Sequence, residues 1–148
     1  MTPDGGRAPG PHAPRTLRQR RGERGEDAAA AYLQGLGWRL LARRVHVGRD
    51  EIDLLALEPG ATPTLVLVEV RTRSTSRFGS PEESVDSAKV RRLYRAAAAL
   101  RAAGRLPDGR ELPRLPWRID LVAVDEAPAI GPGAGGRAVR HLRALEPV

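Results

Sequence analysis

The segment at residues 65–71, which reads Leu-Val-Leu-Val-Glu-Val-Arg, constrains the fold more than any other part of the chain. Side chains alternate across a strand, so the three valines share one face and the two leucines share the other with Glu69 and Arg71. The leucines indicate that this second face is also partly buried. A carboxylate among apolar side chains loses its hydration unless it is paired or bound to a metal. Glu69 therefore needs a partner, and Arg71 is an obvious candidate on the same face.

The other apolar patterns predict the elements around this strand. Helical spacing indicates helices at residues 22–36 and about 86–103. Asp86 or Ser87 is expected to cap the start of the second helix, and Gly104 to close its end. Strands are predicted at residues 38–47, 51–57, 65–72 and 117–124, with a short edge element at 139–145. This order predicts an α/β fold with a mixed central sheet flanked by helices.

The chain of 148 residues is expected to form one domain over residues 22–148, with a flexible linker at about 127–137. Residues 1–21 contain several proline, glycine and arginine residues without apolar periodicity, which predicts a disordered basic arm. The absence of cysteine excludes disulfides and thiolate metal sites. No apolar run approaches the roughly 18 residues of a membrane span, so we expect no membrane association and a cytoplasmic location.

The formal net charge of +7 favours a polyanionic partner. A basic tail on an ordinary domain would explain part of this charge. Two further basic clusters nevertheless lie within the predicted fold. The residues expected to contact nucleic acid are Arg73, Arg77, Lys89, Arg91 and Arg92.

Two more carboxylates are placed to join Glu69. Asp53 stands where the predicted strand 51–57 begins, and it is either a turn residue or a metal ligand. Adjacent strands would let Asp53 and Glu69 converge, and two carboxylate oxygens suit Mg²⁺, which bridges to phosphate groups. Glu26, on the covered face of the first helix, is either a favourable charge in the first helical turn or an outer group of the same site.

A helical Glu, then an Asp, then Glu-x-Lys or Glu-x-Arg about fifteen residues later resembles the pattern of the PD-(D/E)XK nuclease superfamily. Within it the chain resembles the YraN family, small bacterial proteins similar to archaeal Holliday-junction resolvases. The matching stretches are residues 22–26, 51–54, 68–71, 77–81, 87–89 with 92–93, 118–120 and 141–142.

The resemblance implies a restriction-endonuclease-like three-layer fold and a Mg²⁺ or Mn²⁺ cofactor. It implies that Asp53 and Glu69 bind the metal and that Glu26 supports them. Arg71 would complete the catalytic group. The nucleic acid is expected to be DNA rather than RNA.

The sequence departs from the superfamily pattern at Arg71, where lysine is usual. Lysine can lose its proton when it is desolvated, whereas arginine stays protonated, so Arg71 can hold a phosphate but cannot act as a base. Lys89, the only lysine in the chain, is a possible substitute, although it would equally suit a solvated helix surface. Asp50 and Glu51 make the start of the strand acidic, which we interpret as a charged turn.

Two residues near the C-terminus have structural interpretations. Asp120 lies in a predicted strand on the same face as Arg118 and is expected to pair with an arginine. His141, beyond the predicted linker, is expected to have a packing or surface role.

Three functions fit these observations. The first is a metal-dependent endonuclease that acts on DNA, including branched or single-stranded DNA. The second is a nucleic-acid-binding module with the same fold and little or no hydrolysis. The third is an interaction protein with a structural acidic cluster. A branched substrate would favour a two-fold homodimer, although no sequence pattern indicates a dimer surface.

Overall fold

In a computed structural model of the chain, the structure describes residue 14 and residues 16–73, 86–125 and 138–147. The elements are α1 (Leu17–Gly35), β1 (Arg39–Val47), β2 (Asp50–Glu58), β3 (Thr64–Arg73), α2 (Ser87–Ala103), β4 (Trp117–Asp125) and β5 (Ala138–Leu142). The predicted order is confirmed, including the short last strand. The predicted linker and residues 1–13 of the predicted arm lie outside the described residues.

Helix α1 begins five residues earlier than the sequence pattern indicates. Thr16 accepts a hydrogen bond from the Gln19 backbone N–H at 3.2 Å, and the Gln19 side chain accepts one from the Thr16 N–H at 2.8 Å. This reciprocal capping box satisfies two N–H groups that a helix start otherwise leaves without partners. Residues 17–21 therefore extend the helix instead of belonging to the arm.

The five strands form one sheet in the order β1-β2-β3-β4-β5. Strands β3 and β4 run parallel, and the other neighbours are antiparallel. A parallel pair needs a crossover connection, and α2 lies in the connection between these two strands. The mixed sheet flanked by two helices confirms the predicted α/β fold and is consistent with a restriction-endonuclease-like core.

Each helix covers one face of the sheet. Val66, Val68 and Val70 of β3 pack in a cluster with Ala29, Ala30 and Leu33 of α1. The alternate residues Leu65 and Leu67 pack in a second cluster with Leu93, Ala97 and Leu100 of α2. The predicted alternation of β3 is thus confirmed. Neither helix, within the described ranges, is long and apolar enough to cross a membrane.

Helix α2 has the predicted caps at both ends. Asp86 accepts a hydrogen bond from the Lys89 N–H at 2.8 Å. Gly104 adopts a left-handed conformation with φ of 67° and closes the other end. Lys89 therefore lies in the first turn of the helix, close to Glu69 of β3.

Helix α1 lies close against β3 at Gly25. A Cβ atom at this position would lie 1.9 Å from Thr72 Oγ1 and 3.2 Å from Thr72 Cβ. Gly25→Ala should therefore lower the free energy of unfolding by about 1–3 kcal/mol through overpacking, as measured by urea denaturation. Adding Thr72→Ala should recover part of this loss.

Gly22→Ala is the matched control, because a Cβ atom there meets nothing within 4 Å. Since alanine is the better helix former, this change should raise stability by up to about 1 kcal/mol. Equal effects at the two glycines would contradict the close approach of α1 to β3.

Candidate metal centre

The candidate site lies where β2 and β3 separate. Their residue pairing runs from Glu58 and Thr64 to Leu54 and Val68, and it stops one position before Asp53 and Glu69. Beyond this point Asp53 Oδ2 accepts a hydrogen bond from the Val70 N–H at 2.8 Å. The carboxylate of one strand is therefore held by the backbone of the other.

Regular alternation along β2 breaks at Asp53. Ile52 packs in the cluster beneath α2, whereas Leu54 packs in the cluster beneath α1. Residues two apart in a regular strand would share one face. The strand therefore turns at Asp53.

Glu69 is 4% exposed and lies beside two cations. Its Oε1 atom is 3.4 Å from Arg71 Nε and 3.5 Å from Lys89 Nζ. The predicted Glu69–Arg71 ion pair is present. Lys89, in the first turn of α2, contacts the same oxygen of Glu69. The other oxygen, Oε2, is buried and has no hydrogen-bond partner among the described residues.

Burial raises the pKa of Asp53 from its ordinary 3.8 to about 7, and the charge of Glu69 is the second cause. Glu26 adds to the increase, whereas the hydrogen bond from Val70 opposes it. The charged form of Asp53 is therefore disfavoured by burial and by the like charge of Glu69. The electrostatics of the site therefore favour an added positive charge.

A second set of carboxylates meets at Asp53. Glu26, Glu51 and Asp53 each offer an oxygen, and these atoms lie within 4.8 Å of one another. Oxygens on opposite sides of an octahedral Mg²⁺ are about 4.2 Å apart, twice the ligand distance of about 2.1 Å. Glu69 is not part of this set among the described residues, so Asp53 joins two acidic groupings.

Glu51 is the residue that the sequence interpretation missed. We assigned it to a charged turn, but it lies within β2 beside Asp53. Its spacing of two residues from Asp53 is the signal that would have found it, because residues at that spacing project in similar directions in a strand.

A cleft of about 300 Å³ lies between the start of β2 and the first turns of α2. It is lined by Arg49, Asp50, Glu51, Asp53, Lys89, Arg92 and Leu93. Acidic side chains at the sheet thus face basic side chains on the helix. The cleft can admit an anionic ligand on the helix side and a cation on the sheet side.

Of the other predicted basic residues, Arg91 is the one whose side chain the structure describes. Arg91 is exposed on α2 and does not line this cleft. Arg73 ends β3, with its side chain outside the described part of the chain, and Arg77 lies outside the described residues altogether.

Comparison with known proteins shows the family of this chain. A family model described as "Uncharacterised protein family UPF0102" matches residues 25–124, which include all four carboxylates of the candidate site. The chain belongs to this family. The resemblance to the YraN family is thereby confirmed.

Individual UPF0102 proteins match over most of their length. One from Symbiobacterium thermophilum is 46% identical over 112 residues, covering 76% of this chain and 87% of the relative. One from an Arthrobacter species is 38% identical over 125 residues, covering 84% and 93%. One from Moorella thermoacetica is 43% identical over 107 residues, covering 72% and 82%.

Proposed function

We propose that the protein is a divalent-metal-dependent nuclease that hydrolyses DNA phosphodiesters, with branched and single-stranded DNA among its substrates. The observation that carries the proposal is the buried Oε2 atom of Glu69, which has no hydrogen-bond donor among the residues that the structure describes and belongs to a carboxylate interacting with Asp53. A buried acceptor without a partner costs stability, and a cation between the two carboxylates would remove that cost.

The donor set fits Mg²⁺ or Mn²⁺. Asp53 and Glu69 would hold the ion, and Glu26 and Glu51 lie close enough to Asp53 to assist. Carboxylate oxygens suit these hard cations, and the chain contains no cysteine for softer metals. Such an ion, when bound, supplies electrophilic activation of a phosphodiester oxygen and of water.

The protein's own side chains would orient the substrate. Arg71 lies beside Glu69 with 35% of its side chain exposed, so its guanidinium can reach a phosphate from the site. Lys89 and Arg92 line the cleft on the helix side and can hold the flanking backbone. Arg71 stays protonated and would stabilise the charge that develops on phosphate during hydrolysis.

A specific observation also favours the second candidate, a nucleic-acid-binding module with little hydrolysis. Both nearby cations lie against the same oxygen of Glu69, and the arginine cannot release a proton. The strand therefore lacks a side chain that can act as a base, while the basic residues Lys89 and Arg92 of the cleft can still hold a phosphate backbone.

Cleavage of labelled branched, duplex and single-stranded DNA tests the proposal. We expect cleavage with Mg²⁺ or Mn²⁺ and none after chelation with EDTA. Glu69→Gln keeps the shape of the side chain but removes its charge, and it should lower the cleavage rate by about 10²–10³-fold, the range for loss of one electrostatic group from an active site. Glu111→Gln is the control, because Glu111 is exposed and lies outside the site; its rate should equal that of the wild type.

Binding without cleavage in either metal would reject the nuclease and leave the binding module. Phosphate contacts would then appear as a steep fall in affinity with added salt. If no DNA binds even at low salt, both nucleic-acid functions fail.

A further inference from the structure

Arg44 has an unfavourable backbone conformation inside β1. Its φ is 48°, and it is one of two non-glycine residues with positive φ in the described part of the chain. Few side chains adopt this left-handed region, because Cβ crowds the carbonyl oxygen, and such residues persist where other contacts hold them.

The strained residue lies opposite Asp53. Arg43 pairs with Leu54 and Val45 pairs with Ile52, so the register puts Arg44 across from Asp53. Both strands reverse their faces here. Val45 and Ile52 pack in the cluster beneath α2, whereas Leu54 packs beneath α1 and its partner Arg43 forms an ion pair with Asp27 of α1. One shared kink therefore turns Asp53 and Arg44 away from regular alternation.

The kink brings the Arg44 guanidinium to α1. Its Nε donates to Glu26 Oε2 at 2.9 Å, and one of its terminal nitrogens lies 3.5 Å from Glu23 Oε1. The Glu26 side chain is only 13% exposed and lies with Glu51 and Asp53 in one group of carboxylates. Repulsion among three like charges favours their separation, so some other contact must hold Glu26 in place.

We propose that Arg44 is a positioning residue, whose guanidinium holds Glu26 against Glu51 and Asp53 so that the three carboxylates form one group that binds a divalent cation. This inference rests on the proposed function only in taking the carboxylates as a cation site. The left-handed kink turns Arg44 toward α1, the same helix that its neighbour Arg43 contacts, and so brings its guanidinium to Glu26.

Mn²⁺ binding to the full chain, measured by calorimetry and by the electron paramagnetic resonance of free Mn²⁺, tests the inference without DNA. Arg44→Gly accepts the left-handed backbone and removes the side chain with its guanidinium. It should weaken Mn²⁺ binding at least about tenfold, the effect expected from loss of a residue that orients ligands, with an unchanged melting temperature. Arg44→Lys should recover part of the affinity.

Arg43→Ala is the matched control, because its ion pair with Asp27 is exposed and lies outside the carboxylate group. Its Mn²⁺ affinity should stay within about twofold of the wild type. The inference fails if Arg44→Gly binds Mn²⁺ as the wild type does, or if the wild type binds none. If Arg44→Gly unfolds, Arg44→Asn, whose side chain tolerates a positive φ, decides by the same affinity criterion.

The two proposals fail differently. Wild-type affinity in Arg44→Gly together with metal-dependent DNA cleavage overturns the role of Arg44 alone. Weakened Mn²⁺ binding in the variant, with no cleavage of DNA by the wild type, supports Arg44 and overturns the nuclease.

Discussion

Asp53→Asn is expected to raise the free energy of unfolding of the metal-free protein at pH 8 by about 2–4 kcal/mol. In the folded protein, burial and the charge of Glu69 raise the pKa of the carboxyl from 3.8 to about 7. A tenfold change in an ionisation constant corresponds to about 1.4 kcal/mol, so the ionised form is strongly disfavoured. Asparagine keeps an oxygen for the Val70 N–H and removes the charge.

The gain should depend on pH in a defined direction. Because the folded-state pKa is raised, the folded protein keeps a proton that the unfolded chain releases above about pH 4. The contribution of Asp53 to stability therefore falls as the pH rises from about 4 to about 7. Denaturation of both proteins with urea in EDTA should show a difference that vanishes near pH 4 and is complete above pH 7.

Asp27→Asn provides the control, because the Asp27 side chain is 65% exposed. We expect it to change stability by less than about 1 kcal/mol at any pH. Mn²⁺ should stabilise the wild type by mass action and have little effect on Asp53→Asn. An asparagine variant that is no more stable than the wild type at pH 8 would show that the charge of Asp53 does not lower the stability of the folded protein.

Asp120→Asn is expected to lower the free energy of unfolding by about 3–5 kcal/mol, the usual result of breaking a buried ion pair. Asp120 is fully buried and accepts hydrogen bonds from Arg118 Nε at 2.8 Å and from the Ala144 N–H at 3.0 Å. Its Oδ2 atom lies 2.8 Å from His141 Nε2. The predicted pairing of Asp120 with an arginine is thus confirmed, and of the packing and surface roles predicted for His141 the structure shows packing, because its side chain is 6% exposed.

The Asp120 carboxylate connects β4 to residues 141 and 144. Arg118 also donates to both oxygens of Glu58, at 2.8 and 2.9 Å, and its hydrogen bond is the main reason that the pKa of Glu58 falls to about 2. Removing the Asp120 charge would leave Arg118 half-buried with one acidic partner instead of two. Guanidinium denaturation measures the loss.

Asp108→Asn is the comparison for Asp120, because it breaks an arginine pair of similar length that is about half exposed. Exposed pairs contribute about 0–1 kcal/mol, so this variant should remain close to the wild type. Equal losses in the two variants would show that burial does not set the value of the Asp120 network.

Local chemistry made most of the framework predictable. Alternation in β3 assigns its valines and leucines to opposite faces, because side-chain direction in a strand depends only on the backbone. The caps of α2 at Asp86 and Gly104 are recognisable for the same reason, since capping involves residues within a few positions of each other. The capping box at Thr16 was equally local, but the arginine-rich composition around it hid the start of α1.

The sequence by itself determined the order of the elements and identified Asp53, Glu69 and Arg71 as chemically unusual, because charged groups in apolar strands need partners. Only the tertiary structure decided how those groups meet. The crossover between β3 and β4 brings Lys89 to Glu69, and the packing of α1 on the kinked strands brings Glu26 to Asp53. Both depend on contacts between residues far apart in the chain, and a break in alternation leaves no periodic signal in the sequence.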